Sequence, residues 1–133
     1  MIISASRRTD IPAFYADWFF HRLREKSVWV RNPVNPHQIS EVSLARDVVD
    51  GIVFWTKNPT PMLDRLNELE GYPCYFQFTL NAYGHDVEPN VPSKNDVLIP
   101  AFLALAKRAG REAAVWRYDP ILLNDRYTVA YHC

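Results

Sequence analysis

Gly51-Ile52-Val53-Phe54-Trp55-Thr56-Lys57-Asn58-Pro59-Thr60-Pro61-Met62-Leu63 decides the fold. A run of β-branched and aromatic residues passes without a break into Lys57-Asn58-Pro59, and a helical pattern starts at once. Thr60 is placed to cap that helix, and Pro61 falls in the first turn, where a missing N–H does no harm. Met62, Leu63, Leu66 and Leu69 make its apolar stripe, and Gly71 stops it. A continuously apolar strand feeding an amphipathic helix is one βα unit, and such units build parallel sheets.

The same ending recurs on either side of this stretch. Ile2-Ile3-Ser4-Ala5-Ser6-Arg7-Arg8-Thr9-Asp10, Tyr75-Phe76-Gln77-Phe78-Thr79-Leu80-Asn81 and Ala114-Val115-Trp116-Arg117-Tyr118-Asp119-Pro120 also run from an apolar strand into polar residues. In βα architectures the residues just past the C-terminal strand ends gather on one face, where ligands bind.

The segments between these strands fit the alternation. Asp10 caps a helix from about Ile11 to Glu25, with Pro12 in its first turn and Phe14, Trp18 and the set Tyr15, Phe19 and Leu23 as its apolar face. Val28 to Arg31 and Ile39 to Leu44, flanking Asn32-Pro33 and Asn35-Pro36, read as an inserted β-ribbon. A strand from Cys74 to Leu80 precedes a polar loop from Tyr83 to Asn95. A helix with Leu98, Phe102, Leu105 and Ala109 then runs to Gly110, its first turn unsettled by Pro100. After the strand near Ala113 to Arg117, a further helix is expected from about Asp125 or Tyr127.

The last residues, Tyr127 to Cys133, are aromatic-rich and show no capping signal. Residues 1–133 therefore read as a single βα-repeat domain that is the front part of a longer protein. The fold expected is α/β, a half TIM-type barrel with an inserted β-ribbon, since a complete barrel takes about 250 residues. An open parallel α/β sheet is the alternative.

Composition limits the function classes. The 133 residues are 48% hydrophobic and 14% aromatic, enough for a real core, and 15 basic residues balance 15 acidic ones. Zero formal charge gives no general attraction to nucleic acid or anionic lipid, so any anion site must be local. No apolar run approaches the roughly 20 residues that cross a bilayer, and Met1-Ile2-Ile3-Ser4 does not resemble a signal peptide. A cytoplasmic protein is expected, with no membrane partner. Cys74 and Cys133 are far apart without metal-ligand spacing, so both are expected as reduced thiols.

Strand alternation assigns the faces. Gln77 and Thr79, with Asn81 beyond them, share a side opposite Phe76 and Phe78. Ser4 shares a side with Ser6, Arg117 with Asp119, and Trp55 with Lys57. The charges at the strand ends are Arg7, Arg8, Lys57 and Arg117 against Asp10 and Asp119. Guanidinium and ammonium groups beside helix N-termini suit phosphate or carboxylate oxygens, so an anionic small-molecule ligand is expected. Asn58, Gln77, Thr79 and Asn81 would orient it, Trp55, Trp116 and Tyr118 offer flat surfaces, and Asp10 or Asp119 is the candidate for proton handling.

Each residue has a structural reading as well. Arg7 or Arg8 can pair with Asp10 or Asp119, Asp10 can serve as a helix cap, the Asn-Pro and Asp-Pro pairs suit ordinary turns, and the tryptophans suit the core. The repetition of the endings survives that comparison better than any single residue. His85-Asp86-Val87-Glu88 has no established metal spacing and reads as a solvated loop, while His21, His37 and His132 stand isolated. No glycine-rich phosphate loop, nucleophile elbow or zinc-helix motif occurs.

Ile3 to Pro12, Val30-Arg31-Asn32-Pro33, Asp50 to Pro59 and Trp116 to Pro120 resemble the prokaryotic family called domain of unknown function 1848, in order and over nearly the whole chain. Its members are longer and carry, toward the C-terminus, a cysteine cluster resembling that of radical S-adenosylmethionine enzymes. The resemblance implies a barrel-like, iron–sulfur-containing full-length protein using S-adenosylmethionine. Neither Cys74 nor Cys133 carries over as a ligand, so no cofactor or metal is expected in these residues, and this chain alone is expected to be inactive. Two function classes follow: the N-terminal part of such an enzyme, or a module that binds a nucleotide or nucleic-acid end without turnover. The edge at Ala113 to Arg117 is expected to drive self-association of the isolated chain.

Overall fold

The computed structural model describes residues 1–5 and 8–133. Strands β1 (Ile2–Ala5), β4 (Gly51–Thr56), β5 (Cys74–Thr79) and β6 (Ala114–Arg117) form a four-stranded, wholly parallel sheet in the order β1-β4-β5-β6. Between β1 and β4 in sequence, β2 (Ser27–Arg31) and β3 (Ile39–Ser43) pair antiparallel as a separate ribbon, with Val28 opposite Val42 and Val30 opposite Ser40. The chain is a mixed α/β protein whose main sheet is open, and the inserted ribbon is present.

Alternation decides what the sheet buries. In β4, Ile52, Phe54 and Thr56 point to the helices, and each is buried. Phe54 stacks on Phe76 of β5 with ring centres 4.6 Å apart, and both are inaccessible to water. Removing a ring of this size from water contributes about 2–3 kcal/mol, and ring pairing adds about 1 kcal/mol. Phe19, Phe20, Leu23, Met62, Leu98 and Leu105 from the helices complete this core. The opposite face carries Ser4, Val53, Trp55, Tyr75, Gln77, Thr79, Val115 and Arg117. Of these only Val53 is buried, and it lies outside the core cluster.

Four helical expectations differ in detail. The helix expected over Ile11 to Glu25 is two, α1 (Ile11–Phe14) and α2 (Ala16–Glu25), parted at Tyr15 with φ −133° and ψ 25°. The break turns Ala16, Phe19, Phe20 and Leu23 into the buried stripe and leaves Phe14 and Trp18 exposed. Aromatic residues at 14, 15, 18, 19 and 20 admit two registers, and packing chose between them.

The helix expected to end at Gly71 is α3 (Thr60–Leu63) followed by a 3₁₀ turn, Leu66–Leu69, and Thr60 makes no side-chain cap. Arg65 at the break lies over the Phe20 ring at 4.2 Å and bonds to Asp17 and Glu68, so side-chain contacts replace continuous helix there. Gly71 has φ +84°, as the stop requires.

Pro100 sits inside α4 (Ile99–Ala109) without harm because a π-turn, Lys94–Leu98, precedes it, and the wider turn relaxes the usual backbone ladder. The final helix is α5 (Val129–His132), later than expected. The Thr128 side chain accepts from the Tyr131 N–H, which corrects the reading of an uncapped end. Asn124 accepts from the Arg126 and Tyr127 N–H groups, so Asp125 and Tyr127 belong to a turn.

Candidate functional site

The C-terminal strand ends bring most of the expected residues together. On the helix-free face the Trp55 indole N–H donates to Ser4 Oγ at 3.1 Å. The Arg117 guanidinium lies 4.7 Å from the centre of the Trp55 ring, although Trp55 is on β4 and Arg117 on β6. The two side chains therefore meet over β5, neighbouring strands being about 5 Å apart. Between them lie the strand positions of Gln77, paired with Trp55, and Thr79, paired with Arg117. Gln77 and Thr79 are half-buried and make no side-chain hydrogen bond among the described residues.

Arg117 also pairs with Asp119. Asn81, only 4% exposed, donates from Nδ2 to the Asp119 backbone carbonyl at 3.0 Å. Asn81 Oδ1 and Asp119 Oδ1 are buried with no hydrogen-bond partner among the described residues. A buried acceptor without a donor costs about 1–3 kcal/mol, which sets these two oxygens apart from the rest of the buried polar groups. The Asp119–Pro120 peptide is cis.

Two candidates do structural work. Asp10 accepts from Ala13 N–H at 2.9 Å as the cap of α1 and from Lys57 N–H at 2.6 Å, fastening the start of α1 to the end of β4. Asn58 accepts from both the N–H and the hydroxyl of Thr60, and its own N–H donates to Thr56 Oγ1. Arg8 is exposed and enters no ion pair among the described residues, whereas Arg7, like Ser6, lies outside them.

Trp55 and Trp116 do not share a surface, because Trp116 is opposite Phe78 in the register and so faces the other way. Its indole N–H donates to the Leu80 carbonyl. Tyr118 instead bonds to His132 Nδ1 at 2.6 Å, and His132 Nε2 meets the Leu122 carbonyl at 3.1 Å. A carbonyl can only accept, so Nε2 carries a hydrogen toward Leu122. His132 is thus not isolated, but packs among Tyr83, Tyr118, Tyr127 and Tyr131.

The loop after β5 was read as solvated, and the structure ties it down over the strand ends. Glu88, its side chain 9% exposed, receives Lys57 Nζ at 2.5 Å and Lys94 Nζ at 2.6 Å. Lys94 also donates to the Tyr83 carbonyl. Burial alone would raise the Glu88 carboxyl, but the two ammonium groups outweigh it and hold it below the ordinary range. Asp86 is bonded by the Tyr127 hydroxyl and paired with Arg126, which holds its carboxyl low and pushes the Tyr127 phenol up. Tyr83 donates to the Pro120 carbonyl and accepts from Leu122 N–H. Glu88 and Tyr83 escape the sequence reading because Lys57, Pro120 and Leu122, which they bond, are distant in sequence, and Lys94 escapes it because its role depends on where Glu88 is held. Only Pro89 and Pro92, which stiffen the loop, hinted at an ordered segment.

Cys74 starts β5 on the helix-packed side, at the far end of the strand from the site, and burial pushes its thiol up. Cys133 is exposed, and among the described residues no group of three or more His, Cys, Asp or Glu is arranged to hold a metal ion. No helix among the described residues is long and apolar enough to cross a membrane.

A parallel sheet in chain order, with helices against one face and a polar, aromatic face opposite, defines a mixed α/β protein. Residues 2–133 match the family described as Domain of unknown function (DUF1848), and the chain belongs to that family. No curated protein and no solved structure matches it.

Proposed function

We propose that residues 1–133 form the first half of a βα barrel whose strand ends bind the anionic part of a small-molecule ligand. In an open doubly wound sheet the strand order reverses and helices cover both faces. The order β1-β4-β5-β6 never reverses, and the buried core lies on one face, which supports a barrel segment. The observation that carries the ligand reading is Arg117 laid over Trp55 on the uncovered face, beside the unpaired oxygens of Asn81 and Asp119. Arg8 and Arg117 meet the anion, Gln77, Thr79 and Asn81 orient the ligand, and Asp119 is the better placed of the two carboxylates for proton handling, since Asp10 is spent on backbone N–H groups.

In the enzyme reading the ligand is S-adenosylmethionine or its co-substrate. These residues contribute binding and orientation, and an iron–sulfur cluster would need cysteines from beyond residues 1–133. The Trp55–Arg117 platform also favours a second reading, stacking of a nucleotide base without turnover. Calorimetric titration with S-adenosylmethionine and with adenosine monophosphate tests both. Arg117→Ala should weaken binding at least about tenfold, the worth of one hydrogen bond to a charged group. An Arg117→Ala protein that melts far lower while binding unchanged would reduce the stack to a structural ion pair. Binding of adenosine as tight as that of the monophosphate would favour the base-stacking module.

A further inference from the structure

We propose that Lys57 and Lys94 form a receptor for a doubly charged oxyanion, a phosphate monoester by chemistry, and that Glu88 is its built-in occupant, displaced when the ligand arrives. This rests on the strand-end reading above and specifies the anionic part of its ligand. The two ammonium groups come from separate elements, the loop after β4 and the start of the helical segment that leads into α4, yet both converge within 2.6 Å of one carboxylate. The Glu88 oxygens thus mark where anionic ligand oxygens sit.

Charge decides which anion fits better. Two ammonium groups against one carboxylate leave an excess of one positive charge, which a dianion would neutralise and a second carboxylate would only reproduce. Space exists beside Glu88 and Lys94, in a cavity of about 250 Å³ lined also by Tyr83, His85 and Ser93 and reached by Lys57 only through Glu88. Glu88 is carried on a segment without helix or strand that is fastened separately through Tyr83 and Asp86, so its side chain can leave while the loop stays in place.

Inorganic phosphate titrated into the 133-residue chain, followed by NMR of the Lys57 and Lys94 Nζ groups, is the test. If Glu88 fills the receptor nine-tenths of the time, Glu88→Gln raises phosphate affinity about tenfold, and adding Lys94→Ala abolishes the gain. Phosphate binding no tighter in Glu88→Gln overturns the proposal, as does a gain that survives Lys94→Ala, or acetate binding tighter than phosphate. Should Glu88→Gln fail to fold, the wild-type chain decides. Movement of both Nζ signals together with the Glu88 carboxyl carbon supports displacement, and stationary signals at saturating phosphate refute it. Titration with adenosine, which carries no phosphate, reports the Trp55–Arg117 reading by itself, so a failure here is separable from a failure of that reading.

Discussion

Asp10→Ala separates a structural carboxylate from a catalytic one. In the folded chain both oxygens are used, one by Ala13 N–H at 2.9 Å and the other by Lys57 N–H at 2.6 Å. Loss of an N-terminal cap costs about 1 kcal/mol, and loss of a backbone bond to a charged acceptor about 1.5 kcal/mol more. The sum, about 2.5 kcal/mol, corresponds to a fall in Tm of about 10 °C for a chain of this size. Asp10→Asn keeps an acceptor for Ala13 but turns an NH₂ toward Lys57 N–H, so it should recover about 1 kcal/mol of that loss. Urea denaturation at constant m-value measures all three proteins. An Asp10→Ala protein within about 0.5 kcal/mol of wild type would refute the reasoning, because surface positions without a role fall in that range. If that protein also lost ligand binding, Asp10 would belong to the chemistry instead.

The remaining predictions concern charge, backbone and edge. Glu88 is depressed in the folded state, so its pairs add stability that is fully present above the unfolded value of about 4.3 and is lost as pH falls through the lower folded value. Wild type minus Glu88→Gln in acid unfolding should show that loss, and parallel curves would deny it. Gly110 has φ +101° and ψ 148° with open space around its Cβ position, so Gly110→Ala should cost about 2 kcal/mol through backbone strain alone, against no change if the turn relaxes. Among the described residues β6 pairs only with β5, and Trp116 is 61% exposed, so sedimentation of the isolated chain should show association. A monodisperse monomer would count against this.

Much of the sheet was legible because β4 and β5 are short runs of β-branched and aromatic residues bounded by Gly, Pro and Asn. The helices were less so. Five aromatic residues between Phe14 and Phe20 fit two helical registers, and only contact with Phe54 chose one. Of the site, alternation paired Gln77 with Thr79 and Arg117 with Asp119 and should have excluded Trp116, but it left the face of Trp55 open until the register set it opposite Gln77. The Arg117–Trp55 stack needs the strand order, which no local pattern encodes. Glu88 and His132 were misread for the same reason, since a polar residue in a loop looks solvated until the element that covers it is known.

If ligand oxygens are met at the C-terminal ends of the parallel strands, amide and side-chain NMR of the chain during titration with adenosine monophosphate shows it directly. Shifts are expected at the Trp55 indole N–H, Lys57, Asn81 and Arg117, with Gly51 and Cys74 at the opposite strand ends unmoved. Shifts confined to that opposite end, or none at millimolar nucleotide, would contradict it.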